Sequence, residues 1–321
     1  MNPILRNFIQ LTDALAIALG LMCLAAGLAA QGGRFNVRLD ILTHFAPIWL
    51  AGSVLTLIYG LARSQNASQG VLISISTFAV FAAIALMAPE YLRKIEPWAP
   101  VDAPNQIKIV QLNAWILNRD VAATARWIAS QNPDVITINE ITPTLQKAIE
   151  HQTGYHYRRG IVGSGIFTRA EPLGAGFMLG DPWNEWPDLA RARVPVGNGS
   201  AVVIAVHLTW PTDLWQIKQR VGLAKIMKRT DPSHLIMIGD FNLTPWSFTL
   251  QGLDKSLGLT RRDCAIFSWP AQPVQSWHGK VAFLPIDHVY AGSAWRTVDI
   301  KRGPRLGSDH YPIVVTLALT D

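Results

Sequence analysis

Residues Ile238-Gly239-Asp240-Phe241-Asn242-Leu243-Thr244-Pro245-Trp246 read IGDFNLTPW. The apolar run Leu235–Ile238 stops here, and an aspartate and an asparagine follow two residues apart. Asp and Asn are ordinary loop formers, and a strand entering a Pro-containing turn can end this way. Strand alternation offers a second reading, in which Asp240 and Asn242 point to one face and act together. The rest of the chain has to decide between them.

Other short apolar runs close in the same manner. Ile107–Leu112, Val135–Ile138, Ala201–Val206, Val281–Ile286 and Ile313–Leu319 read as buried strands. Between some of them, Arg119–Ser130 and Leu214–Lys228 carry apolar residues at helical spacing. Strands interleaved with helices and long loops predict two packed sheets or one layered α/β sandwich. Polar side chains collect where the runs stop: Asn113, Glu140, His207, the pair Asp240 and Asn242, then Asp287 and His288. Ser308, Asp309 and His310 stand just before the last run. Any one of these could be a cap or a loop residue. Six strand ends that each supply a carboxylate, carboxamide or imidazole imply a site.

The order N…E…H…GDFN…DH…SDH resembles the endonuclease/exonuclease/phosphatase superfamily, which includes the DNase I-like nucleases, sphingomyelinases and inositol polyphosphate phosphatases. The resemblance covers Gln106 to Thr320 and rests mainly on GDFN with a later SDH; IDH or NE alone is weak. It implies a four-layered α/β sandwich (DNase I-like) with the site at one edge of the two sheets. Two positions depart from the family pattern. Asn139 stands where many members have Gln, and Trp115 stands where the nuclease branch often has an acidic residue, which argues against an abasic-site endonuclease.

Phosphate-ester hydrolysis needs a deprotonated water, neutralised phosphoryl oxygens and a stabilised leaving oxygen. Hard oxygen ligands suit Mg²⁺ or Mn²⁺. By the resemblance, Glu140 is the main metal ligand, with Asn113 beside it and Asp309 completing the shell. Asp240 orients or deprotonates the water, and Asn242 holds a phosphoryl oxygen. His310 faces the scissile phosphate with Asp287 fixing its tautomer, and His207 adds a second donor. His288, next to Asp287 on the strand, is expected to face away.

The first hundred residues are of another kind. The chain is 50% hydrophobic and 16% charged, with mean hydropathy +0.20, and the apolar excess is concentrated near the N-terminus. Segments at about 10–30, 41–62 and 71–90 each approach the roughly 20 apolar residues that cross a bilayer as a helix. The expected organisation is a membrane region over 1–95, a Pro-rich charged linker over 96–105, and a catalytic domain over 106–321. Cys23 and Cys264 offer no disulfide framework. An integral protein of a bacterial inner membrane is the expected location. Arg34, Arg38, Arg93 and Lys94 against Arg6, Arg63 and the N-terminal amine lean towards a cytoplasmic catalytic domain, whereas a lipid-linked intermediate as substrate would need a periplasmic one.

Net charge is +6, which suits a phosphate-bearing partner but also suits a basic membrane protein. Of twelve tryptophans, Trp115, Trp210 and Trp246 lie near proposed site residues, where core packing, a lipid-facing cleft and base stacking remain alternatives. Tethering concentrates an enzyme on lipid-borne substrates. The expected activity is a membrane-anchored, metal-dependent phosphoesterase acting on a lipid or headgroup. The alternatives are a tethered nuclease and a scaffold that keeps the fold without the chemistry.

Overall fold

A computed structural model of the chain describes residues 3–63, 67–160, 162–174, 187–272 and 281–320. Contacts divide it into two compact units, Met1–Arg93 with Thr244–Gln251, and Lys94–Leu243 with Gly252–Asp321.

The first unit is helical: α1 (Pro3–Gln31), a short α2 (Val37–Asp40), α3 (Ala46–Ala62) and α4 (Ala67–Leu92). Three helical stretches, Pro3–Arg34, Val37–Ala62 and Ser68–Leu92, are long and apolar enough to cross a membrane. Small residues let the helices approach closely, as membrane helices do. A Cβ on Gly27, for example, would lie 3.1 Å from the Cβ of Ala82. Asp13 on α1 is paired: Arg63 meets it at 3.1 Å and the Tyr59 hydroxyl donates to it.

The second unit contains two mixed sheets. Strands β1 (Gln106–Asn113), β2 (Val135–Asn139), β3 (His156–Arg159), β4 (Gly165–Thr168), β10 (Trp295–Arg302) and β11 (Ile313–Leu319) form one, in the order β10-β11-β1-β2-β4-β3. Strands β5 (Asp188–Val196), β6 (Gly199–His207), β7 (Leu235–Asp240), β8 (Thr260–Arg261) and β9 (Asp287–Ala291) form the other, in the order β5-β6-β7-β9-β8. The helices are α5 (Val121–Ser130), α6 (Pro143–Thr153), α7 (Trp215–Met227) and α8 (Phe248–Ser256). The α5 helix starts where Asp120 accepts the Ala123 N–H, a side-chain cap on an otherwise orphaned donor.

Period two sorts the strand residues. On β1, Ile107 and Ile109 enter the core between the sheets, while Val110 and Leu112 pack under Ala125, Ile128, Leu145 and Ile149 of α5 and α6. From the second sheet, Val203, Ala205, Ile236, Ile238 and Val289 meet the first sheet in the same core. The fold is the four-layered α/β sandwich, with the core at its centre.

One strand differs from expectation. Val281–Ile286 is not a strand; β9 begins at Asp287. Pro285 has no N–H to give a ladder, and of this stretch Leu284 alone pairs, in an isolated bridge with Trp269. Because β9 runs antiparallel to β7, its first residue lies opposite Asp240.

Candidate active site

The strand faces that fill the core turn polar at one edge. Following Ile107 and Ile109, β1 presents Gln111 and Asn113; following Val135, β2 presents Thr137 and Asn139. The same alternation brings His207 to the end of β6 and Asp240 to the end of β7. Register then aligns them: Asn113 with Asn139, His207 with Asp240, and Asp240 with Asp287.

Asp240 is the centre of the cluster. Its Oδ2 accepts from Asn113 Nδ2 at 3.0 Å and lies 3.8 Å from His207 Nε2 and 3.7 Å from His310 Nε2. Its backbone N–H donates to Asn139 Oδ1. Burial pushes its pKa up to about 6; Asp287 adds to this, and His310, His207 and Asn113 oppose it. A carboxylate so placed can accept a proton from water near neutral pH.

Asn242 does not lie one alternation further along the strand. The β7 strand stops at Asp240, and Asn242 takes a left-handed backbone, φ 51°. An Asx-type turn returns it to Asp240, with its N–H on Oδ1 at 2.9 Å and its Nδ2 3.3 Å from Oδ2. The same Nδ2 donates to Leu208 O at 2.7 Å. Both amide hydrogens are therefore engaged, and Asn242 orients Asp240 where sequence alternation predicts a phosphate donor.

His310 and Asp287 are paired, Nδ1 to Oδ2 at 2.8 Å, and Gln111 holds the other oxygen, Oδ1, at 2.9 Å. Burial disfavours charge on both, yet their mutual attraction wins. Asp287 stays below its ordinary value, and His310 rises to about 10, helped by Asp240. His310 thus presents a protonated Nε2 to the site. Its loop is fixed by Ser308, whose hydroxyl donates to Asn113 O and accepts from the His310 N–H.

Glu140 also has a left-handed backbone, φ 53°, a conformation that costs energy and is retained where a side chain must be aimed. Its Oε1 accepts from Asn113 Nδ2 and its Oε2 from the Ile116 N–H. His207 Nε2 lies 3.9 Å from Oε1. Burial raises the pKa of Asp309 and the Glu140 charge adds to it, against His310 and the Trp269 N–H.

His288 faces away from this cluster, between Asp263 and Leu243 O. The sequence patterns assign no role to Gln111, Asn139 or Trp269. The period-two signal that pairs Gln111 with Asn113 could have found the first; Trp269 reaches Asp309 from an irregular segment with no such pattern. Trp246 is wholly buried, whereas Trp210 is 43% exposed and packs edge-on against Trp269.

A family model described as the Endonuclease/Exonuclease/phosphatase family matches residues 110–310. The chain belongs to that family. Solved structures agree on the fold. An endonuclease/exonuclease/phosphatase from Beutenbergia cavernae is 18% identical with TM-score 0.52, covering 67% of this chain and 72% of its own. A family protein from Bacteroides thetaiotaomicron is 15% identical with TM-score 0.53, covering 67% and 98%. D. rerio TDP2, solved with a single-strand DNA product, is 17% identical with TM-score 0.50, covering 66% and 98%. No curated protein matches.

The endonuclease/exonuclease/phosphatase family comprises hydrolases of phosphodiester bonds that generally use a divalent cation. The donors present fit such an ion. Ligand atoms of Asp240, Asp287 and His310 lie within 4.8 Å of one another. Asp287, however, already spends one oxygen on Gln111 and the other on His310. Glu140, whose oxygens accept from Asn113 and the Ile116 N–H, and Asp309, whose Oδ2 accepts from Trp269, add hard oxygens whose mutual repulsion a cation would relieve. Asn113 is placed less simply: its Oδ1 accepts the Trp115 N–H, and its NH₂ bridges Glu140 and Asp240.

Proposed function

We propose that this chain is a membrane-anchored, divalent-metal-dependent phosphoesterase acting on a phosphate ester or pyrophosphate of a lipid or its headgroup. Glu140 and Asp309 hold Mg²⁺ or Mn²⁺, with Asn113 beside them. The ion supplies charge neutralisation at the phosphoryl group. Asp240 takes the proton of the attacking water, held in place by Asn242, Asn113 and the Asn139 carboxamide. His310, kept cationic by Asp287, donates to the phosphoryl oxygens with His207 beside it.

The observation that carries the lipid reading is the rim. The loop whose Ile116 N–H holds Glu140 exposes Ile116 and Leu117, each 63% accessible. Apolar side chains beside a phosphate site suit acyl or prenyl chains, whereas nucleic acid calls for a Lys/Arg track. The three apolar helices agree with a substrate met at a membrane. A second reading, a tethered nuclease, draws on the similarity to D. rerio TDP2.

The test is hydrolysis by full-length protein in detergent with Mg²⁺ or Mn²⁺, with Asp240→Asn as control. The substrates are bis-p-nitrophenyl phosphate, plasmid DNA, sphingomyelin and a polyprenyl pyrophosphate. Turnover of a lipid substrate that the variant lacks is expected. Cleavage of DNA alone would favour the nuclease, and silence across the panel would leave a scaffold.

A further inference from the structure

The residues that follow the Asp240–Asn242 turn, Thr244–Gln251, belong to the first compact unit. Their partners there are two buried polar residues of the connection between α1 and α3, Asp40 and His44.

Asp40 acts as a cap supplied from a distant part of the chain. Its Oδ1 accepts the Phe248 N–H and its Oδ2 the Thr249 N–H, each at 2.9 Å. These are among the first-turn donors of α8 that have no partner inside the helix, and a carboxylate there also complements the helix dipole. The approach is close. A Cβ on Gly33 would fall 2.8 Å from Asp40 Cα and 2.9 Å from the Phe248 ring. The Arg34 guanidinium lies 5.0 Å from the centroid of that ring.

His44 grips the segment four residues earlier. Its Nδ1 accepts the Thr244 N–H at 3.2 Å and lies 2.9 Å from the Thr244 hydroxyl. A backbone N–H can only donate, so Nδ1 carries no proton and the ring is the neutral Nε2–H tautomer. That Nε2 is buried with no hydrogen-bond partner among the described residues.

The segment so gripped begins two residues after Asn242. Asn242 aims the Asp240 carboxylate through its own N–H and amide, in a strained left-handed turn. Such a turn persists only where its surroundings over-determine it. One support is the Leu243 carbonyl, which His288 Nε2 holds at 2.8 Å. The next residues along the chain, Thr244, Phe248 and Thr249, are the ones fixed by His44 and Asp40.

We propose that Asp40 and His44 are positioning residues for phosphoester hydrolysis. They fix the chain leaving the Asp240–Asn242 turn and, through it, the direction of the Asp240 carboxylate. The connection between the first two long apolar helices then does more than fasten the enzyme to a bilayer. This inference rests on the hydrolytic reading above.

The experiment uses full-length protein in detergent with Mg²⁺ and the water-soluble bis-p-nitrophenyl phosphate, so that membrane recruitment of substrate plays no part. Asp40→Asn leaves one acceptor and turns an NH₂ towards a backbone N–H. His44→Phe removes the acceptor, while His44→Asn offers Oδ1 in place of Nδ1. Arg63→Gln breaks an ion pair elsewhere in the same unit and serves as the control. Expected are a kcat lowered about 10–100-fold in Asp40→Asn and His44→Phe with KM unchanged, since small misplacements of a reacting group are costly. His44→Asn should recover most of the loss, and Arg63→Gln should match wild type. Hydrogen exchange at the Phe248 and Thr249 amides should quicken in Asp40→Asn. If Asp40→Asn does not fold, the contrast between His44→Phe and His44→Asn carries the same comparison. Faster exchange with kcat unchanged would overturn the proposal, as would a loss in Arg63→Gln as large as in His44→Phe. Wild-type hydrolysis that Asp240→Asn abolishes but His44→Phe leaves intact overturns this inference alone. A silent wild type overturns the hydrolytic reading and this inference together.

Discussion

His310 Nδ1 and Asp287 Oδ2 lie 2.8 Å apart, both buried, one from the loop before β11 and the other from the first residue of β9. Gln111 on β1 holds the second Asp287 oxygen, so the two sheets meet through this carboxylate. Its partner is left with a single free nitrogen, Nε2, which points towards Asp240.

Removing that imidazole removes a charge-assisted donor and a proton carrier at once. His310→Ala is expected to lower kcat by about 10²–10⁴-fold, the usual worth of a positioned acid–base group. Asp287→Asn should fall in the same range, because the amide cannot hold His310 as the cation. The double variant should lose little more than either single one, since the two act as a unit. Steady-state kinetics checks all three. Losses that multiply would separate the pair.

Glu140 and Asp240 are both carboxylates touching Asn113, and the proposed reading gives them different tasks. Glu140→Gln is expected to raise the metal concentration for half-maximal activity, and for half-maximal thermal stabilisation by Mn²⁺, by at least about tenfold. Asp240→Asn should leave the Mn²⁺-induced shift in Tm nearly unchanged while removing most turnover. Melting curves over a metal titration read the binding without relying on activity. The reverse pattern would exchange the two roles.

Much of this site is legible in the amino-acid sequence. Alternation on β6 and β7 puts His207 and Asp240 at core-facing ends, and short apolar runs mark β1, which carries Asn113, and β2, which Glu140 directly follows. Geometry without a period is not legible in that way. Asn242 reaches Asp240 through a left-handed turn, and Trp269 reaches Asp309 across an irregular loop. The strand expected at Val281–Ile286 does not form, because an apolar run does not reveal which of its residues find ladder partners. Asp40 and His44 are invisible for a further reason: their partners lie about 200 residues along the chain, and no local pattern encodes such a distance.

Gly239 stands between Ile238 and Asp240 with φ +155°, and a Cβ there would lie 2.0 Å from the Val206 carbonyl oxygen. The obstacle is backbone of the neighbouring strand, paired in register at this residue, so it cannot swing aside as a side chain could. Gly239→Ala should cost more than the roughly 1–3 kcal/mol of a disfavoured backbone alone. It should also lose activity, because Asp240 is the next residue. Chemical denaturation of wild type and variant measures the difference. A variant as stable as wild type would mean that β6 and β7 separate at this point without penalty.

Asp263 and His288 are buried against each other at 2.8 Å, and His288 also meets Leu243 O, so each ring nitrogen has an acceptor and the imidazolium fits. Burial opposes charge on both, but the pair overcomes it: His288 is raised above 6.5 and Asp263 is held far below its ordinary value. The signs then differ. The raised histidine contributes stability that is complete below about pH 6.5 and fades as pH climbs through its folded value. The depressed aspartate contributes stability that is complete above about pH 4 and fades on acidification below that. Both are present in full between those limits. Breaking such a pair from one side costs about 3–5 kcal/mol. The gap in Tm between wild type and His288→Gln should therefore be large at pH 6 and should narrow towards pH 9. Melting curves across that range measure it, and a gap that widens with rising pH would show that His288 is neutral in the folded protein.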